Sequence, residues 1–510
     1  MFSILRRFLG LNSSREPGTH VEEPPGKATA TSAPPEYNTD HKPDNLGGLA
    51  SPEDIDRALE AAKPHIVKLA LERPDLLKGS GAETLDAMIS HLDMTLSAQL
   101  FEILHHPSFR NLESAWRGLF YLASSVEWDD LLRLRAMNIN RSELQSILRD
   151  GSSKLQPGNP VSQALYYDVY HTSNDEPLGL LVLDEAVENT KADIRLLNAL
   201  AQICAKAQTP LLAGVSPALY LSYGSADAQK TTLQNTGPLF SHPDWSALRQ
   251  NKDSRYIGLC LPRVLGRLPY HNEPPSAGAF ALENDPSFEE PPGFLWVNAA
   301  FAMAANIGRS AKTYGWAVRI RGPDGGGEVA GLPELAMPTA DDPSNVMPQL
   351  ELLIDERLET KWAREGLISL LPRKGRAKPV FFGAQSLNTP DVGKIADPDE
   401  EARQVVLSRL PYVLCVSRYA HHVMRMAADW PEPIGKAFQQ HVQDWLDRSV
   451  HPRPWELRPE QRGEYPIQAA SFTLTERGEN QQAELEILPG YQFEGLGVAI
   501  RLELTLPDRT

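Results

Sequence analysis

The apolar residues of this chain change their spacing along its length, and that change limits the available folds more than any other feature. Between residues 80 and 125 they recur three or four apart. Through the middle, short apolar runs alternate with helical stretches. From residue 465 onward they alternate singly. A period near 3.6 marks a helix with one apolar stripe, and a period of two marks a strand with one apolar face. The chain therefore reads as an α/β (α+β) protein of several domains: a helical opening, a sheet with helical cover and a closing antiparallel strand unit.

The clearest early helix spans 83–105, with Leu85, Met88, Leu92, Leu96, Leu100 and Ile103 on one face; Pro107 ends it. A second, over 109–122, repeats the pattern with Phe109, Leu112, Trp116 and Leu119. Strands are expected at 131–139, 178–183 and 210–215, with a helix over 193–206. An Ala-rich helix is expected over 294–314, a strand at 316–321, and a long Gly-, Pro- and Asp-rich loop over 322–346. Further short strands fall at 351–354, 368–371 and 380–383. Residues 401–430 are mostly helical, with Pro411 placed to kink or divide the run. A shorter helix covers 435–450, and the last strands fall at 472–475, 483–487 and 498–506. Residues 11–50 hold Pro17, Pro24, Pro25, Pro34, Pro35 and Pro43 among Ser, Thr, Gly and Glu, the composition of a tail or linker. The expected divisions are 1–50 linker, 51–125 helical, 126–390 α/β body and 391–510 C-terminal domain.

Several function classes fall away. With 50 Lys+Arg against 66 Asp+Glu, the 510-residue chain carries a formal charge of -16, which argues against a general nucleic-acid binder. No run of 18 apolar residues exists, so no helix is expected to span a bilayer and no stable membrane insertion is expected. The start, MFSILRRFLG, lacks a long apolar core and a small-residue cleavage site, so it is a poor signal peptide. Its apolar residues around Arg6 and Arg7 read as a frayed end, or as a docking peptide for a partner or a membrane surface. Cys204, Cys260 and Cys415 lie in apolar surroundings and cannot make a disulfide framework, which fits a reducing cytoplasmic compartment.

No catalytic set emerges. His105–His106 and His421–His422 are adjacent pairs, and neighbours on a helix point about 100° apart, so neither pair offers two ligands on one face. They read as helix-end or surface histidines. The stretch 322–331, GPDGGGEVAG, lacks the Lys-Ser or Lys-Thr of a phosphate loop and reads as a turn. There is no GxSxG elbow and no kinase set. Arg255, Arg263 and Arg267, then Arg357, Arg364, Arg373 and Arg376, read as ion-pair partners at a surface or subunit interface. The acidic run 397–401 reads as a solvated loop and helix start. No cofactor or metal is expected. The residues favour an assembly component over an enzyme, and a small strand unit with open edges invites pairing with another chain.

Seven ordered stretches resemble one family, the type VI secretion contractile sheath large subunit (TssC/VipB family). They are LSAQLFEILHHPSFRNLESAWRGLFYL at 96–122, SRYIGLCLPRVLGRLPY at 254–270, LWVNAA at 295–300, YGWAVRIRGPDGGGEVAG at 314–331, FFGAQS at 381–386, LPYVLCVSRYAHH at 410–422, and a Phe-Glu-Gly-Leu core within 490–506. The basic start and the PRKGRAKPV stretch at 372–380 depart from the family pattern, which begins with an acidic, Leu- and Ile-rich helix and carries Cys and His at the second place.

The resemblance implies a tail-sheath fold and no catalysis. It implies pairing with a small sheath subunit (TssB/VipA-like) and with other copies of the chain, around a tube of hexameric inner-tube rings, on a baseplate, with an AAA+ ATPase for disassembly. It also implies a C-terminal strand unit that pairs between chains. Carried residue by residue, it offers Trp116, Arg117, Arg263, Tyr412, Arg418, Phe472, Phe493 and Leu502 as packing or inter-subunit candidates. Packing is expected for Trp116 and Tyr412, and helix-orienting ion pairs for Arg117 and Arg418. The competing readings are a sheath of another phage-like injection particle and a nucleotide-binding enzyme built on the 322–331 loop.

Overall fold

The computed structural model describes residues 52–149, 155–171, 176–221, 238–269, 293–335, 349–373, 376–391, 393, 395–458, 461–475, 482–490 and 497–507. The linker at 11–50, the basic start, the 336–346 part of the long loop, and Phe493 lie outside the described residues. The chain divides into compact units at 1–88 and 89–510. The first contains helix α1 (Pro52–Glu72), with Pro64 inside it. Helix α2 (Gly81–His105) starts in a capping box, where Glu83 N–H donates to Ser80 Oγ and Ser80 N–H to Glu83 Oε2, both at 3.2 Å.

In the second unit, His106 caps helix α3 (Pro107–Ser125) by accepting from Ser108 N–H, with Pro107 in its first turn. Pro107 thus both ends α2 and opens α3, because a first-turn residue has no intrahelical N–H bond to lose.

A five-stranded sheet in the order β1-β2-β3-β6-β7 forms the body. Strands β1 (Leu181–Val187), β2 (Leu211–Val215), β3 (Ile257–Leu261) and β6 (Leu367–Arg373) run parallel, and β7 (Arg376–Phe381) closes antiparallel. The central strands are buried on both faces. Leu211, Ala213 and Val215 enter one core and Leu212 the other. Helix α4 (Lys191–Ala207) fills the first core and helix α5 (Ala299–Tyr314) the second. Thr190 and Asp193 cap α4, and Gln208 ends it in the left-handed region at φ 56, its side chain held by Tyr256 Oη at 2.7 Å. The alanines of α5 let it lie close to the sheet and to α3. Gly118 of α3 touches it so closely that a Cβ there would sit 2.4 Å from the Phe301 ring.

Several sequence expectations are corrected here. Residues 131–139 form no strand. Leu132 and Leu134 pack onto the second core, and Arg133 lies 3.9 Å from Glu176, but the segment joins no ladder. The expected helix at 294–314 opens with a strand, β5 (Leu295–Val297), paired antiparallel with β4 (Val264–Arg267); Asn298 caps the helix that follows. Residues 316–321 form no strand either. Val318 and Ile320 are buried, but the backbone beyond them folds onto itself, with Arg321 N–H on Gly325 O and Gly327 N–H on Gly322 O. The glycine turn is pinned to β7 through Gly322, Gly327 and Phe381 rather than left free. Residues 351–354 form no strand; Leu350 just before them makes an isolated bridge to Val264, and helix α6 (Glu356–Arg364), which sequence periodicity missed, follows.

The C-terminal part follows its expected order. Asp397 caps helix α7 (Pro398–Leu407), and Pro411 sits in the first turn of helix α8 (Leu410–Asp429), so it divides the run rather than kinking it. Helix α9 (Lys436–Asp447) and the antiparallel sheet β10-β9-β8 close a third core. Its strands are β8 (Ile467–Thr475), β9 (Gln482–Pro489) and β10 (Ile500–Thr505). Leu485, Ile487, Ile500, Leu502 and Leu504 point into that core, and the intervening residues face outward.

His421 overturns the surface reading of its pair. It is buried against the end of α4, and its Nε2–H donates to Ala207 O at 3.0 Å. Burial, aided by the nearby Arg418 charge, pushes its pKa down to about 4. A histidine kept neutral in the fold but titrating near 6.5 when unfolded takes up protons preferentially in the unfolded chain. Stability is therefore full above pH 6.5 and falls as the pH drops toward about 4. The expected loss is about 3 kcal/mol. Chemical denaturation at pH 7.5 and 5 should show about 2 kcal/mol of it, with a flatter profile in His421→Gln.

Candidate assembly interface

Helix α3 is amphipathic in an unusual sense: it docks by one face and keeps apolar residues on another. The docked face carries Arg110 onto Phe294 O, Ser114 Oγ onto Trp296 O (2.9 Å), Tyr121 Oη onto Ala330 O (2.8 Å), and Gly118 against α5. The other face presents Phe109, Leu112, Trp116 and Phe120, spaced three or four apart, all exposed. Ile89, Leu92, Leu96 and Ile103 continue the same kind of stripe along α2. Trp116 is 51% exposed and Leu92 48%. So many large apolar side chains in helical register are uncommon on the surface of a solitary protein and mark a binding face.

Three of the arginines expected at surface or subunit contacts pair inside the chain: Arg263, Arg267 and Arg373, the last with Glu328. Arg263 forks onto Glu351 (2.9 and 2.5 Å), and Tyr220 Oη donates to the same carboxylate at 2.8 Å. Arg267 forks onto Glu113 (2.7 and 3.2 Å), which also accepts from Arg117 Nε at 2.7 Å. Arg117 pairs within α3, and it is Glu113, through Arg267, that ties α3 to β4. Burial alone would raise the Glu113 pKa, but the hydrogen bonds from Arg267 and Arg117 outweigh it and hold the carboxyl below its usual range. The contribution is present above pH 4.5 and is lost as the pH falls through the lowered value. Glu113→Gln, which strands the buried Arg267, should cost about 3 kcal/mol. Urea titration at neutral pH checks this. Sequence reading missed Glu113 as the partner of Arg267 and Glu351 as that of Arg263 because each pair is far apart along the chain.

Tyr412 is fully buried. Trp116 is half exposed on the outer face of α3. Arg418 is exposed on α8, and the carboxylate whose charge acts on it is Glu176. Phe472 packs edge-on to Phe438 at 5.9 Å, and Leu502 is buried beside it in the third core, so both side chains serve their own sheet.

No three His, Cys, Asp or Glu side chains gather as a metal site among the described residues, and no described helix is long and apolar enough to cross a membrane. Cys204, Cys260 and Cys415 are free and buried, and burial pushes the Cys204 thiol up to about 12.

Two family models match in order along the chain. The one described as EvpB/VC_A0108, tail sheath N-terminal domain, matches residues 86–388, and EvpB/VC_A0108, tail sheath gpW/gp25-like domain, matches residues 399–506. The chain is 34% identical over 462 residues to the type VI secretion system sheath protein TssC1 of Pseudomonas aeruginosa, covering 88% of this chain and 91% of that protein. Among solved structures, a chain from the anti-feeding prophage baseplate aligns over 75% of this chain and 81% of its own at 12% identity, with a TM-score of 0.34, too low to bear on fold or function. On the sheath models and the long, 34% identical alignment, this chain belongs to the TssC/VipB family of type VI secretion sheath proteins.

Proposed function

We propose that this sheath protein is the large subunit, which polymerises with a small TssB/VipA-like subunit around an inner tube and contracts to propel tube and spike. The observation that carries the reading is the exposed apolar stripe of α2 and α3, from Ile89 to Phe120, beside cores that are otherwise closed. A surface of that kind needs a permanent partner. The partner is the small subunit, and the edge of the C-terminal sheet takes a strand from a further subunit. Assembly on a baseplate takes place in the cytoplasm, and an AAA+ ATPase disassembles the contracted form. The working parts are the helical region to 125, the body at 126–390 and the C-terminal domain at 391–510. The chain performs no catalysis; the work comes from a lattice with two packings.

Co-expression with the adjacent small subunit tests this. Polymers that pellet at high speed and contain both chains in equal amounts are expected. A soluble chain that ignores the small subunit would overturn the reading.

A further inference from the structure

We propose that Gln439 and Gln443 of α9 seal the outer edge of β8, so that a strand from another subunit can join the C-terminal sheet only beside β10. The identity of the strand donor rests on the sheath reading; the seal is a property of this chain alone.

A three-stranded sheet has two edges, each with a row of outward N–H and C=O groups. At β8 these groups meet side chains. Phe472 N–H donates to Gln443 Oε1 at 3.0 Å, and Gln443 Nε2 donates to Ala470 O at 3.1 Å. One side-chain amide thus makes the two contacts that the N–H and C=O of one residue in a neighbouring parallel strand would make. Leu474 N–H donates to Gln439 Oε1 at 3.4 Å, and at the other end His451 N–H donates to Ile467 O at 3.1 Å. The geometry suits the task. Four residues of helix rise about 6 Å, and two residues of antiparallel strand about 6.8 Å. Two glutamines one turn apart therefore reach two successive outward positions. Asp447 Oδ1 accepts the second Gln443 N–H at 2.8 Å and fixes which way that amide faces.

The β10 edge is different. Because Phe472 N–H points away from β9, the Phe472–Leu485 pair is not hydrogen-bonded across β8 and β9, and Leu485 must turn its backbone groups to Leu502. By the same alternation, the backbone groups of Arg501, Glu503 and Thr505 face outward. Among the described residues no strand pairs with that edge; only Ala499 O, at its start, takes a side chain, Arg403 Nε at 2.9 Å. The solvent face beside it carries Glu484, Glu486 and Glu503 against Arg501, an acidic surplus. The edge therefore suits an extended segment that is apolar at alternate positions, continuing the row of Ile500, Leu502 and Leu504, and cationic between them.

The test uses the full chain co-expressed with the small subunit, carrying a photo-cross-linking residue at Thr473 or at Glu503. Cross-links to another chain are expected from position 503 and not from 473; equal yield from 473 would overturn the proposal. The near-isosteric double variant Gln439→Met, Gln443→Met keeps side-chain volume and removes the hydrogen bonds. In it the Phe472 and Leu474 amides should exchange about tenfold faster in the soluble chain, and cross-links from 473 should emerge. Unchanged protection would refute the seal. If the unmodified pair forms no polymer and 503 stays silent, the sheath reading fails, and exchange on the soluble chain still decides the seal.

Discussion

Replacing Glu503 by proline is expected to stop polymer growth while leaving the chain folded. The Glu503 N–H points away from β9, so proline removes no hydrogen bond of the existing ladder. Proline is tolerated on an edge strand for that reason, and Leu502 before it is already extended. An incoming strand, however, would lose a donor and meet the ring. Polymer yield should fall about tenfold or more, with the denaturation midpoint little changed. Glu503→Ala, which keeps the N–H, should assemble normally. Sedimentation and circular dichroism of the same preparations separate the two effects. Deleting β9 and β10 outright is a poorer test, since Leu485, Ile487 and Leu502 close the third core and their loss would expose it.

Trp116→Asp should have the second largest effect. The side chain is half exposed, so the isolated chain should change by no more than about 0.5 kcal/mol. In the centre of the α3 stripe, an aromatic anchor typically contributes about 2–4 kcal/mol to binding, which corresponds to roughly 30- to 1,000-fold weaker association with the small subunit. Co-purification and titration of the partner read this directly. Tyr412→Ala supplies the contrast. Its ring is fully buried, so it should lose about 3–5 kcal/mol of folding stability without touching the partner surface.

Much of this organisation was legible in the sequence, and the failures have physical causes. The strands at 467–475, 482–489 and 500–505 alternate cleanly because one face is buried and the other wet. β3 and β4 were read only as an apolar stretch with arginines, because strands buried on both faces lose their alternation. Residues 131–139 alternate like a strand, and Leu132 and Leu134 do turn inward, but the pattern reports the apolar face and not the ladder. Helix α6 escaped notice because ERLETKWAR is short and mostly charged, with Trp362 its one buried residue. The resemblance located the family. It could not tell that Arg263 and Arg267 are satisfied within the chain, since Glu351 and Glu113 lie 88 and 154 residues away.

The most direct test of the central claim is a cryo-electron microscopy reconstruction of this chain co-expressed with its small subunit. The account predicts tubes in which the small subunit covers Leu92, Leu112 and Trp116, and a strand from a neighbouring subunit lies beside β10 while Gln439 and Gln443 remain on β8. Discrete particles, or tubes in which the α2–α3 stripe stays in solvent, would contradict it.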